Sequence, residues 1–271
     1  VVSVGSFNFP ESIVLAELYA QTLRARGFAV RIVSNIGPRE VVGPALARGL
    51  LDLVPEYEGS ALTFYSLGAV PASHDAVATH NALILALSSR GLVPLAPAPA
   101  QDANAIVVTS ATASRLHLRT ISDLSPAAPA MVFGGPPECP QRLLCLVGLG
   151  QVYGLRFQAF VGLDVDGPLT LEALIGGDID VARLSTTMPA IERDQLVVLT
   201  DDRGLQPAEN VTPVVRRAVL ARYGPGLSRA LNTLSARLTT TDLTSLDAAV
   251  LRDPSSAAMV VRRWLAEHRL P

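Results

Sequence analysis

Apolar positions along the first third of the chain switch repeatedly between two rhythms. Residues 1–4 are a short, nearly continuous apolar run, the pattern of a buried strand. Ile13, Leu15, Ala16, Leu18, Tyr19 and Leu23 then fall at helical spacing, which predicts a helix over 13–26 closed by Gly27. The same reading predicts a strand at 29–34, a helix at 39–49, a strand at 51–54, the start of a helix at 59–65 and a helix at 74–91. Strands alternating with helices predict a mostly parallel sheet covered by helices.

The rhythm restarts near Ala105. Strands are expected at 105–109, 130–134, 156–161, 179–184 and 195–199, with helices at 141–154 and 169–176. After Pro213 the pattern is helical in pieces, at 213–223, 226–237, 244–252 and 254–269. Two α/β units with a helical tail predict a two-lobed protein. The Pro/Ala run at 94–100 and the stretch 201–210 are the expected crossings, because both interrupt periodic segments with Pro or Gly. One lobe is then 1–100 with 206–271, and the other is 101–205.

Composition narrows the classes. With 271 residues, 49% of them hydrophobic and 17% charged, the chain can bury a large core and is no disordered segment. A formal charge of −2 gives no basic footprint for nucleic acid. Mean hydropathy is +0.35, yet Pro and Gly break the apolar runs before any could span a bilayer as a helix. Residue 1 already opens a core strand, so any leader is expected to have been removed, and membrane attachment would run only through such a leader.

Enzymatic chemistry finds little support. His74, His80, His117 and His268 have no nucleophile pattern nearby, and no G-x-S-x-G elbow is present. No phosphate loop exists, and the chain has no lysine. Asp164 with Asp166, and Asp201 with Asp202, read as solvated turns rather than metal ligands. No cofactor is expected. Cys139 and Cys145 lie in a Pro-rich loop; they form either a short disulfide, which implies an oxidising compartment, or two reduced thiols. Their spacing excludes a redox CxxC, and zinc would need ligands that are not nearby.

The opening stretch Gly5-Ser6-Phe7-Asn8-Phe9-Pro10-Glu11-Ser12 places a small-residue turn between a strand and a helix start. Such a turn presents backbone N–H groups and the positive end of a helix dipole. Ser6, Asn8 and Ser12 add side-chain hydrogen-bonding groups, or serve only as caps.

This stretch and four others resemble one family. The others are Leu15-Ala16-Glu17-Leu18-Tyr19-Ala20, the run from Asp52 through Pro55-Glu56-Tyr57-Glu58-Gly59-Ser60-Ala61-Leu62, Leu118-Arg119-Thr120-Ile121-Ser122-Asp123-Leu124, and Gly177-Asp178-Ile179-Asp180-Val181-Ala182. Together they resemble the substrate-binding protein of an osmoprotectant ABC importer, the glycine betaine/carnitine/choline-binding family. The resemblance implies a two-lobed type II periplasmic-binding-protein fold, each lobe a mixed sheet flanked by helices, joined by two crossings. It implies a small-molecule ligand captured as the lobes close, and docking to a permease driven by a separate ATPase. It also implies an extracytoplasmic location, periplasmic or lipid-anchored. The alternative is an enzyme or a ligand-sensing effector domain on the same fold, since fold does not fix function.

By motif, the resemblance assigns ligand contact to Tyr57 and Ser60 and makes Arg142 the counterpart of a ligand-carboxylate arginine. At other positions the chain departs from the family pattern. Asn104 and Ser185 stand where cage tyrosines are common, Phe7 where a cation is common, and Met188 where an acid is common. The segment around Asn210 lacks its tyrosine. Each ring contributes about 0.5–2 kcal/mol to holding a quaternary ammonium, so a depleted cage predicts weak betaine binding. The neutral groups Asn8, Ser12, Ser60, Asn104, Ser185, Thr186 and Asn210 then favour a neutral polar or phenolic ligand, with Phe7 and Tyr57 stacking on it.

Overall fold

The computed structural model describes residues 1–252 and 256–270. The chain runs through β1 (Val2–Gly5), α1 (Pro10–Ala25), β2 (Val30–Val33), α2 (Arg39–Ala47), β3 (Leu53–Tyr57), α3 (Glu58–Tyr65), α4 (Ala76–Ser88) and β4 (Leu92–Pro94). It continues through β5 (Asn104–Thr109), α5 (Ser110–Leu116), β6 (Val132–Gly135), α6 (Leu146–Tyr153), β7 (Ala159–Gly162), α7 (Pro168–Gly176), β8 (Val181–Ser185), α8 (Ala190–Arg193) and β9 (Leu196–Val198). It closes with β10 (Val211–Arg216), α9 (Arg217–Tyr223), α10 (Pro225–Ser235), α11 (Thr240–Arg252) and α12 (Ala257–Glu267). The contacts divide this chain into two compact units, Val1–Asp102 with Ala208–Pro271, and Ala103–Pro207.

Unit 1 is built on a five-stranded mixed sheet of order β2-β1-β3-β10-β4. β1 pairs in parallel with β2 and β3, whereas β10 runs antiparallel to β3 and β4. Helix α1 starts at Pro10, whose fixed φ and missing N–H suit a first helical position. Val14, Leu15, Leu18, Tyr19 and Leu23 bury one side of α1 in the core, and Gly27 at φ +83° ends it. The Tyr19 hydroxyl pairs with the Ser235 hydroxyl at 2.9 Å, which ties α1 to α10.

The expected helix at 213–223 is corrected to a strand followed by a helix. Pro213 reads locally as a helix start, but Val211, Thr212, Val214 and Val215 are β-branched and fully buried inside the sheet. Pro213 lies directly opposite Pro55 on β3 in a non-hydrogen-bonded pair; the Pro213 carbonyl accepts the Leu95 N–H on the β4 side, so the missing N–H groups of the two prolines point away from each other and the β3–β10 ladder loses no bond there. The same rung explains why β3 runs on through Pro55 to Tyr57, past the expected end at Val54. The stretch 94–100 likewise begins as the end of an edge strand, β4. Pro254, the expected start of the last helix, lies outside the described residues.

Unit 2 has its own mixed five-stranded sheet, of order β7-β6-β8-β5-β9. β6 runs parallel to β7 and β8, and β5 runs antiparallel to β8 and β9. Its core gathers Ile106, Val108, Leu124, Phe133, Leu149 and Val181. The expected helix at 141–154 starts later, at Leu146. Pro140 and a disulfide between Cys139 and Cys145, whose Cα atoms are 5.3 Å apart, keep the preceding residues in a turn. By the chain-entropy model, closing a loop this short stabilises by about 2 kcal/mol. No helix among the described residues is long and apolar enough to cross a membrane.

Candidate functional site

In unit 1 the candidate residues collect where β1 and β3 hand over to helices. The Ser6 N–H donates to the Val33 carbonyl, its hydroxyl donates to the Phe7 carbonyl, and the Asn35 N–H donates back to that hydroxyl. The Phe7 N–H donates to the Ser12 hydroxyl at 2.9 Å. Ser6 and Ser12 are fully buried, so both hold the turn together from inside, while Asn8 and Asn35 are exposed.

Phe7 is also buried, a correction to its expected role as a stacking surface. Its ring lies nearly parallel to Phe9 at 5.8 Å, with the Arg39 guanidinium 5.1 Å from its centroid. Tyr57 extends this aromatic group, 6.0 Å from Phe9, and its hydroxyl donates to Glu11 Oε1 at 2.5 Å. Burial, and then the carboxylates of Glu11, Asp102 and Asp247, push the Tyr57 hydroxyl well above its ordinary pKa.

Three acids that sequence reasoning did not select organise the rest of this unit's site. Glu56 takes a forked pair of bonds from Arg39, with Nε at 3.0 Å and Nη2 at 2.8 Å from one oxygen. Burial works against the Arg39 charge, but Glu56 and Glu209 outweigh it and hold the guanidinium above its usual range. Glu209 receives the Ser60 N–H at 3.0 Å and the Ser60 hydroxyl at 2.6 Å, and so caps the start of α3. Burial pushes the Glu209 carboxyl up to about 7, against the lowering effect of those two bonds and of Arg39. Glu58 pairs with His80 Nδ1 at 2.5 Å, and burial raises its carboxyl above the usual range. Asn210 donates its amide to the Ala98 carbonyl at 2.8 Å, while its buried Oδ1 has no hydrogen-bond partner among the described residues.

In unit 2, Asn104 and Ser185 face each other at one rung of β5 and β8. The Ser185 N–H and hydroxyl both donate to Asp166, at 2.6 and 2.7 Å. Asn104 donates to the Leu144 carbonyl and to Gln206 Oε1, and accepts from Arg183 Nε at 2.7 Å. Thr186 is exposed and pairs with the backbone of Ala103 in both directions. Arg142 sits on the disulfide loop with Glu138 at 3.2 Å.

Two sequence-based expectations need correction. Asn104, Ser185 and Ser60 are not a neutral face, because each is hydrogen-bonded to a charged group: Arg183, Asp166 and Glu209 respectively. Of the loop aspartates, Asp202 is exposed in a turn as expected, whereas the other three are not solvated turns. Asp164 accepts the Leu169 and Thr170 N–H groups at the start of α7, Asp166 is buried, and Asp201 accepts the Leu205 and Gln206 N–H groups and the Tyr153 hydroxyl. A usable signal was present: Glu56 and Arg183 are single charges inside otherwise apolar strand patterns. Among the described residues, no group of three His, Cys, Asp or Glu side chains could hold a metal ion.

Residues 1–267 match the model of the substrate binding domain of ABC-type glycine betaine transport systems. The chain belongs to that family. The glycine-betaine-binding protein of Pseudomonas aeruginosa is 28% identical over 276 residues, covering 98% of this chain and 88% of that protein. The glycine betaine-binding protein YehZ of Escherichia coli is 26% identical over 275 residues, covering 98% and 90%. A crystal structure of a glycine betaine/carnitine/choline ABC transporter protein superposes with a TM-score of 0.77 at 21% identity, covering 100% of this chain and 99% of that one. The fold is thus the two-lobed type II periplasmic-binding-protein fold. Members of this glycine betaine family are extracytoplasmic solute-binding components of ABC importers. They bind small ligands and work with permeases, a transport role rather than an enzymatic one.

Proposed function

We propose that this family member captures a small solute with a cationic, quaternary-ammonium end, and that carboxylates take over recognition that an aromatic cage would otherwise provide. The observation carrying this reading is the imbalance of buried charge in unit 1. Glu11, Glu56, Glu58, Asp102, Glu209 and Asp247 are buried there, against Arg39 as the only buried guanidinium among the described residues. Tyr57 and Ser60, the positions that the family motif marks, hydrogen-bond directly to Glu11 and Glu209 of this set. A buried carboxylate costs desolvation unless a cation offsets it, and its attraction for a cation in a low-dielectric site exceeds that of one ring face. The neutral or phenolic ligand loses its basis once the neutral side chains are hydrogen-bonded to charged ones. Delivery to a permease driven by a separate ATPase, with attachment to the membrane through a processed leader or lipid anchor, completes the reading.

Calorimetric titration with glycine betaine, choline and mannitol tests it. The quaternary ammonium compounds bind and mannitol gives no heat. Binding of mannitol with no response to either cation contradicts the reading.

A further inference from the structure

We propose that an arginine surface of unit 1 rests on a bilayer bearing anionic phosphate headgroups. Two stretches of the chain carry arginines and no acid, residues 18–39 and residues 210–241. The fold brings them together. Phe28, just past α1, meets Tyr223 of α9 edge-on with ring centroids 5.8 Å apart. A Cβ on Gly226, at the start of α10, would stand 3.9 Å from the Phe28 ring. Within three residues of this contact along the chain lie Arg26, Arg31, Arg222 and Arg229. Arg24 joins them, with its Nη2 donating to the Val30 carbonyl at 3.3 Å. All five arginines are exposed, and none is in an ion pair among the described residues.

The imbalance belongs to this unit. Outside the core, the described residues of unit 1 carry 13 arginines and 6 carboxylates, whereas those of unit 2 carry 7 and 10. A patch of one sign with no acid inside it offers a protein partner little to set a register by. It suits a laterally mobile layer of phosphates, each of which a guanidinium holds through its fork of N–H groups. Tyr223 lies beneath Arg222, whose Cζ is 5.3 Å from the ring centroid, and an aromatic ring with a polar tip settles readily at headgroup depth. The position in the fold agrees. The Val2 N–H donates to the Ala29 carbonyl, so the turn holding Arg26 and Phe28 lies at the beginning of β1, while the Ser6–Ser12 turn of the candidate site follows its end at Gly5. Contact with a membrane here leaves that end of the sheet free. The Val1 nitrogen donates to the Tyr223 hydroxyl at 3.2 Å, so the leader or lipid anchor of the reading above would run on from this same face.

The test is co-sedimentation of the whole chain with vesicles of phosphatidylcholine alone and of phosphatidylcholine mixed with phosphatidylglycerol, at low and at physiological salt. The chain pellets with the anionic vesicles at low salt and not with the neutral ones, and added salt weakens binding. Arg26→Gln combined with Arg229→Gln lowers partitioning about 25-fold, from roughly fivefold for each arginine near a charged bilayer. Arg26→Lys combined with Arg229→Lys keeps most of the binding, which separates lost charge from a damaged fold. Arg115→Gln combined with Arg156→Gln, at exposed arginines of unit 2, changes the net charge equally and leaves partitioning nearly unchanged. No pelleting with anionic vesicles at low salt, equal pelleting with neutral ones, a lysine pair as weak as the glutamine pair, or an equal loss in the unit 2 pair would each overturn the proposal. Capture by soluble polyglutamate at a salt concentration that abolishes vesicle binding would also overturn it and assign the surface to an acidic protein. No solute is present in this assay, so its outcome is independent of the solute-binding reading, which the betaine titration tests separately.

Discussion

Replacing Arg39 with methionine lowers the unfolding free energy by about 3–5 kcal/mol, the cost of leaving a buried charge without its partner. Arg39 and Glu56 have side-chain exposures of 9% and 1%, and their forked contact pairs the only buried guanidinium among the described residues. Without the guanidinium, Glu56 is stranded near Glu209, which burial already disfavours as an anion. The packing of Arg39 over the Phe7 ring is lost as well. Arg39→Lys keeps a charge but cannot fork, so its loss is smaller. Acidification restores part of the methionine variant's stability, because protonated carboxyls need no counter-ion. Chemical denaturation at neutral and mildly acidic pH checks this; a methionine variant as stable as the parent at neutral pH would refute it.

Glu209 makes stability fall as pH rises through the mildly acidic range. Its carboxyl titrates at about 7 in the folded chain, against an ordinary value of 4.5. The folded chain therefore holds this proton more tightly than the unfolded chain does. The resulting stabilisation is complete below the ordinary value and is lost as pH climbs to about 7, above which Glu209 adds no further slope. Over that window the loss is about 3 kcal/mol. Glu209→Gln removes this component, so the variant's stability profile is flatter than the parent's between those two pH values. Parallel profiles for variant and parent would show that Glu209 ionises normally.

Much of the architecture was legible in the chain because local and global preferences agree. Helix α1 announces itself through Pro10, its apolar spacing and Gly27, and β1 through a nearly continuous apolar run. β10 was not legible, since a lone proline signals a helix start while the strands that β10 pairs with, β3 and β4, lie far away in sequence. The late start of α6 depends on a disulfide whose formation the spacing left open. The site was half legible for a similar reason. Tyr57 and Ser60 stand in a recognisable motif, whereas their partners Glu11 and Glu209 come from remote segments that only the fold brings together.

Recognition of a cation by buried carboxylates carries a proton signature. A cationic ligand near Glu209 favours its ionised form, so binding near neutral pH drives a proton off a carboxyl that titrates at about 7. Titrating glycine betaine into the protein at pH 7 in two buffers of different ionisation enthalpy measures that proton directly. One-site binding with net proton release, abolished in Glu209→Gln, is the expected result. Binding without proton release, or with uptake, would contradict it.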